Sequence, residues 1–166
     1  DEIKTLLPEL LSAAKLMHQL DMIGKHLTDH LENKYSGTGT VQELLAKNLR
    51  ARYKGASALR ETHPLNRDRD TSYTIDKGNI LSMCLRSKSG DLHDFDTLKF
   101  VYLHELSHIA ANVFQHPEKY WRIFKIILQE AQDIGVYQPI DYSRNPVLYC
   151  GRLTISYNPL YDNTLD

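Results

Sequence analysis

The run Phe100-Val-Tyr-Leu-His104-Glu105-Leu-Ser-His108-Ile-Ala constrains this chain more than any other stretch. It reads H-E-x-x-H inside an apolar, helix-compatible segment. With 3.6 residues per turn, two imidazoles four positions apart stand one above the other on a helix and reach a common point. Glu105 projects toward the same side, where it can hold a water beside a metal ion. Over residues 96–113, Leu98, Tyr102, Leu106, Ile109 and Val113 fall on one apolar stripe, with His104 and His108 off its centre. The pattern predicts a helix that packs on one side and offers two histidines to a cleft on the other. A histidine pair used only for packing has no need of an acid beside it. The expectation is therefore a zinc site, and with it a hydrolase acting on peptide bonds.

A catalytic zinc takes three protein ligands and keeps one position for water. His116 is the favoured third ligand: the interval from His108 is long enough to end the helix near Asn112 and turn back, and Pro117 suits the start of a following helix. The spacing differs from H-E-x-x-H-x-x-G-x-x-H, whose glycine is missing. Glu130, on the next helix, is the rival. That helix is expected over residues 118–134, with Tyr120, Trp121, Phe124, Ile127, Leu128 and Ala131 as its apolar stripe. Glu130 lies on the flank of this stripe, where a solvated charge is the expectation.

At 166 residues and 42% hydrophobic content, one domain with its own core is expected over the whole chain. It divides into a helical N-terminal part, residues 1–55, and a catalytic core, residues 72–157. No apolar run approaches the length of a membrane span. A start at Asp1 rather than Met is compatible with an upstream piece carrying a signal or anchor. A formal net charge of -1 gives no global attraction to nucleic acid or acidic lipid. Cys84 and Cys150 are too few for a disulfide framework; buried thiols of an intracellular protein are the first expectation, a single bridge the second.

Leu10, Leu11, Ala14, Met17, Leu20, Ile23, Leu27 and Leu31 predict a long amphipathic helix over residues 9–33 that ends before Ser36-Gly-Thr-Gly39. His18, His26 and His30 ride on it and are expected to face solvent. Thr40 and Glu43 form a capping box for a second helix that runs to Tyr53 and stops at Gly55. Lys47, Arg50, Arg52, Lys54 and Arg60 form the notable basic cluster, expected as a solvated face, with phosphate contact as the lesser reading. Residues 61–70 read as a loop. Residues 72–76 and 80–86 read as two strands around a tight turn at Lys77-Gly78-Asn79, and the second of them is expected at the edge of the cleft, where an extended peptide could add to it. Asp94 or Asp96 caps the H-E-x-x-H helix. The segment 135–146 is extended and turn-rich, and a last strand is expected over 153–157. The fold class is α+β: a mostly helical single domain with a small antiparallel sheet beside the H-E-x-x-H helix.

In such a site, zinc held by His104, His108 and His116 acidifies water, and Glu105 activates that water by accepting its proton and passing it to the leaving amine. The oxyanion of the reaction needs another donor, for which Tyr142, Tyr149 and Tyr157 are candidates.

A short strand pair ending in Cys84-Leu85-Arg86, then Leu103-His-Glu-Leu-Ser-His108, then His116 followed by Tyr120-Trp121, resembles the WLM and SprT-like zinc metallopeptidases, the minigluzincin type. Ser72-Tyr-Thr-Ile-Asp-Lys-Gly78, the metal helix and Asn145-Pro-Val-Leu-Tyr-Cys-Gly151 look like uncharacterised metallopeptidase-like proteins of nucleocytoplasmic large DNA viruses. The resemblance covers about the last two thirds of the chain. It implies zinc ligation by His104, His108 and His116, Glu105 as catalytic acid/base, a protein substrate, and, by analogy with WLM relatives, action on proteins crosslinked to DNA. The interval to the third histidine is longer than the usual WLM one, and no nucleic-acid or ubiquitin-like binding tail is visible. A non-catalytic, zinc-stabilised binding module is the competing expectation.

Overall fold

The computed structural model describes residues 2–66 and 71–166. Its elements run α1 (Glu2–Tyr35), α2 (Val41–Arg52), β1 (Leu59–Glu61), β2 (Tyr73–Ile75), β3 (Ile80–Met83), α3 (Phe95–Ala111), α4 (Glu118–Asp133), β4 (Val147–Tyr149) and β5 (Leu153–Ile155). The architecture is α+β in one domain. Residues 67–70, the end of the loop expected over 61–70, lie outside the described residues; Glu61 ends strand β1, and residues 62–66 are loop as expected.

The sheet departs from expectation in its direction. It is mixed, in the order β1-β3-β2, with β1 parallel to β3 and β2 antiparallel to it. Three residues of β1 carry no readable alternation, so nothing in the sequence signalled a strand there. A separate antiparallel hairpin, β4–β5, pairs Tyr149 with Leu153. Around the turn between β2 and β3, Asp76 and Lys77 both take positive φ.

Helix α3 is the centre of the molecule. Thirteen of its residues are buried, from Thr97 to Ala111, so the packed side is wider than the stripe implied, while His104 and His108 still border a cleft as expected. Helices α1, α2 and α4 and the sheet cover the remainder. Phe100 illustrates the packing, with the rings of Tyr142, Phe124 and Tyr137 at 4.8, 5.2 and 6.4 Å. A helix buried all round has little amphipathic contrast, which is why its stripe underreported its burial.

Helix α1 packs through Ala13, Leu20, Leu27 and Leu31, all buried, whereas Leu10 and Leu11 are 60% and 63% exposed, Leu10 bordering a shallow groove next to β1. His18 and His26 face solvent as expected. His30 does not: its Nε2 donates to Glu130 Oε2 at 2.8 Å, and the Tyr35 hydroxyl donates to Glu130 Oε1. Glu130 is 5% exposed and is neither a solvated charge nor a metal ligand; it fastens α4 to α1. Removing a carboxylate from water is tolerable only with such partners.

Two further hydrogen bonds hold α1, α2 and α3 together. The Tyr102 hydroxyl donates to that of Tyr53 at 2.7 Å, and Tyr53 donates to Asp21 Oδ1 at 2.8 Å. Asp21 also pairs with Lys25 at 2.9 Å. Gly24 makes room for this relay, since a Cβ there would collide with the Tyr102 hydroxyl. Helix α2 begins as predicted, with Glu43 N–H donating to Thr40 Oγ1. The Glu43 carboxylate, however, accepts from the N–H groups of Gly37 and Gly39 rather than completing a box. Asp94 occupies the N-cap position of α3 without a side-chain cap bond.

Cys84 and Cys150 form a disulfide, with a Cα–Cα distance of 5.8 Å across a sequence separation of 66. This corrects the reading of free buried thiols, and it removes the premise on which an intracellular setting was expected. Among the described residues no helix is long and apolar enough to cross a membrane.

Two outcomes are expected from this packing. Gly24→Ala should destabilise the protein by about 1–3 kcal/mol in urea denaturation, because the rigid Tyr102 ring cannot yield. Cys84→Ser with Cys150→Ser should lower stability by up to about 4 kcal/mol, the loop-closure contribution of a bridge this long, with an unchanged far-ultraviolet circular dichroism spectrum.

Candidate metal centre

His104 and His108 stand one turn apart on α3, and His116 reaches them because the helix stops abruptly. Asn112 caps α3 in the left-handed conformation (φ 53°) and donates its N–H to the carbonyls of His108 and Ile109. Asparagine tolerates that conformation better than most side chains. The chain then folds back through Val113 and Phe114, and Pro117 occupies the N-cap position of α4.

The three Nε2 atoms converge. His116 Nε2 lies 3.1 Å from that of His104 and 3.2 Å from that of His108, and the donor atoms of the trio all fall within 4.8 Å of one another. Zinc–nitrogen bonds of about 2.0–2.1 Å in a tetrahedron place ligand nitrogens about 3.3 Å apart. A Val113 carbonyl accepts from His108 Nδ1 at 2.6 Å, so that nitrogen carries the hydrogen and Nε2 presents its lone pair. One hydrogen on His116 Nε2 cannot serve both of its nitrogen neighbours well, whereas one cation among three lone pairs can. The donor set fits a metal ion.

The surroundings keep these rings uncharged. Tyr120 stacks on His108 at 4.2 Å, Trp121 on His116 at 5.5 Å, and Phe124 meets His104 edge-on at 5.3 Å. Burial, with the neighbouring imidazoles adding to it, pushes His104 down to about 3. Burial chiefly, and His116 in addition, pushes His108 down to about 4, against a raising contribution from the Val113 carbonyl. Burial lowers His116 as well. Neutral imidazoles are the form that ligates. The Tyr120 hydroxyl donates to the His104 carbonyl at 2.8 Å and ties α4 to α3.

A cleft of about 1110 Å³ opens over the trio, and Glu105 lines it although only 5% exposed. Its Oε1 lies 4.0 Å from His104 Nε2. Thr71 to Ile75, including strand β2, form one wall; Tyr149 and residues 152–157 form the other. The strand bordering the cleft is thus β2, not the segment 80–86: β3 lies between β1 and β2 and has no edge to offer. Of the three tyrosines considered for the oxyanion, Tyr142 is fully buried against Phe100. The hydroxyl of Tyr149 is engaged with the Cys84 carbonyl and Ser72 Oγ, both at 2.6 Å. Tyr157 is 39% exposed, lines the cleft and donates to Asp162 Oδ2 at 2.7 Å.

The sequence reading did not anticipate the second wall or the Val113 carbonyl. Tyr120 and Trp121 were legible as an aromatic pair after His116. A backbone acceptor leaves no sequence signal.

Comparison with known proteins adds relatives without known activity. The chain is 42% identical over 82 residues to an uncharacterized protein of Acanthamoeba polyphaga mimivirus, a match spanning 49% of this chain and 42% of that protein. It is 38% identical over 68 residues to an uncharacterized protein of Invertebrate iridescent virus 6, spanning 40% and 38%. A third, of Invertebrate iridescent virus 3, is 36% identical over 69 residues, spanning 41% and 43%. The matches span about two fifths of the length of these curated relatives, all of them proteins of large DNA viruses. No family model matches the chain, and no solved structure matches it.

The trio and Glu130 separate cleanly by mutation. His116→Ala should bring metal content by elemental analysis from about one ion per chain to near none. Glu130→Gln should retain the ion while lowering the melting temperature.

Proposed function

We propose that this chain is a zinc-dependent metallopeptidase that hydrolyses peptide bonds of an extended protein segment. The observation that carries the reading is the convergence of three imidazole nitrogens beside a buried carboxylate in one open cleft. Three nitrogen donors suit zinc, and a structural zinc site has no use for a carboxylate beside its ligands. The resemblance to WLM and SprT-like metallopeptidases points the same way.

His104, His108 and His116 would hold the ion, which when bound supplies Lewis acidity and acidified water. Glu105 then has two tasks. Its carboxylate takes a proton from the attacking water and later delivers it to the leaving nitrogen. Of the three tyrosines, Tyr157 is the exposed one on the cleft wall; burial and the Asp162 carboxylate push it up to about 12, so it keeps its proton at neutral pH, and it would have to release Asp162 to donate that proton to a developing oxyanion. The outer edge of β2 suits main-chain hydrogen bonding to an extended substrate.

A zinc-stabilised binding module is the reading to exclude, and Glu105 discriminates the two. For a DNA-linked role, Arg50 contributes little, since it is paired with Asp29 at 2.6 Å and Glu32 at 3.0 Å.

Glu105→Gln should retain zinc while chelator-sensitive cleavage of casein falls by at least about a hundredfold. Equal cleavage by the variant would remove Glu105 from the reaction, and zinc binding without cleavage by the unmodified protein would favour the module.

A further inference from the structure

The cleft carries one feature that peptide-bond hydrolysis does not require. Among the described residues lining it, Arg152 is the one lysine or arginine, and Glu105 the one acidic side chain. Arg152 is exposed at the turn between β4 and β5. Its surroundings on that wall are hydroxyl-bearing, with Thr154 and Ser156 following it and Ser72 among the residues facing it across the cleft.

The turn that presents Arg152 is held on every side. Cys150 and Gly151 both take positive φ (58° and 71°), and the Arg152 N–H donates to the Tyr149 carbonyl at 3.3 Å. Positive φ at both central residues matches the twist of a tight hairpin. The disulfide to Cys84 anchors the turn, and the Cys150 N–H donates to His93 Nε2 at 2.9 Å. A side chain at Gly151 would strike Lys88, which packs beneath it. The neighbouring Tyr149 hydroxyl meets Ser72 Oγ, so the two walls are joined beside Arg152. The turn thus fixes where the Arg152 backbone enters the cleft wall, and the guanidinium it carries matches the geometry of a planar carboxylate.

We propose that Arg152 is a specificity-determining residue that selects substrates bearing a carboxylate near the scissile bond. This rests on the peptidase reading and deepens it by naming the substrate class. The carboxylate has two sources, an acidic side chain or a free chain end, and both present the same two-oxygen acceptor.

The test uses zinc-loaded Glu105→Gln protein, which holds peptide without turnover, and one fluorescein-labelled alanine-rich peptide made in four forms. These are amidated, free at its C-terminus, amidated with one glutamate, and amidated with one lysine. Fluorescence anisotropy should show binding about tenfold tighter for a carboxylate-bearing form than for the plain amidated one. Preference for the free-ended form identifies the chain terminus as the source, and preference for the glutamate form identifies the side chain. Adding Arg152→Glu should reverse the order in favour of lysine with zinc retained, and Arg152→Lys should keep part of the preference. Equal binding of all forms, no binding of any, or a preference that survives Arg152→Glu would overturn the assignment. Cleavage by the unmodified protein is read separately. Peptides cut without regard to charge would sink the role of Arg152 and leave the peptidase standing. Charge-dependent binding without cutting would do the reverse.

Discussion

Everything in this molecule is arranged around the enclosure of one helix. Thirteen residues of α3 are withdrawn from water, and the two histidines on it gain fixed directions from that packing rather than from their own preferences. Tyr102 anchors α3 to α1 and α2 through its hydroxyl, and Tyr120 anchors it to α4 through the His104 carbonyl. Rotation of the helix about its axis would break both. A metal site tolerates little misplacement of its donors, so rigidity at this level is a precondition for coordination.

The same enclosure sets the electrostatics. Aromatic rings back the imidazoles, and burial keeps them neutral, which leaves their lone pairs for a cation. Charge is handled elsewhere by pairing: Glu130 with His30 and Tyr35, Asp21 with Lys25 and Tyr53, and Lys125 with Asp166 at 2.5 Å and the Asp162 carbonyl at 2.9 Å. Those pairs lie where α1 meets α2 and α4 and where α4 meets the C-terminal segment, and they brace the scaffold away from the donors.

Local signals were legible in the sequence where they had local causes. Thr40 caps α2, Asn112 ends α3 and Pro117 opens α4 because each follows from backbone chemistry within a few residues. The imidazole trio was legible from spacing plus a stop. What escaped was long-range. Strand β1 exists only because β3 offers it an edge 22 positions away, at Leu59 opposite Leu81. His30 and Glu130 find each other across 100 positions, so each read alone as a surface charge. The disulfide was one of two open readings, since two cysteines 66 apart in sequence carry no geometric information until the hairpin meets the sheet. The stripe on α1 misplaced Leu10 and Leu11 because periodicity reports a face, not how far the neighbours extend along it.

The junction of Cys84, Tyr149, Ser72 and Cys150 has a mechanical consequence. It bolts the hairpin to the sheet through a covalent bond and two hydrogen bonds, so the gap between the two walls has a set width at that end. On the peptidase proposal, a slot pinned at one end would favour a thin occupant, a single strand threaded or frayed from its parent, over a folded protein, and the unfolding of the substrate would then decide what is processed.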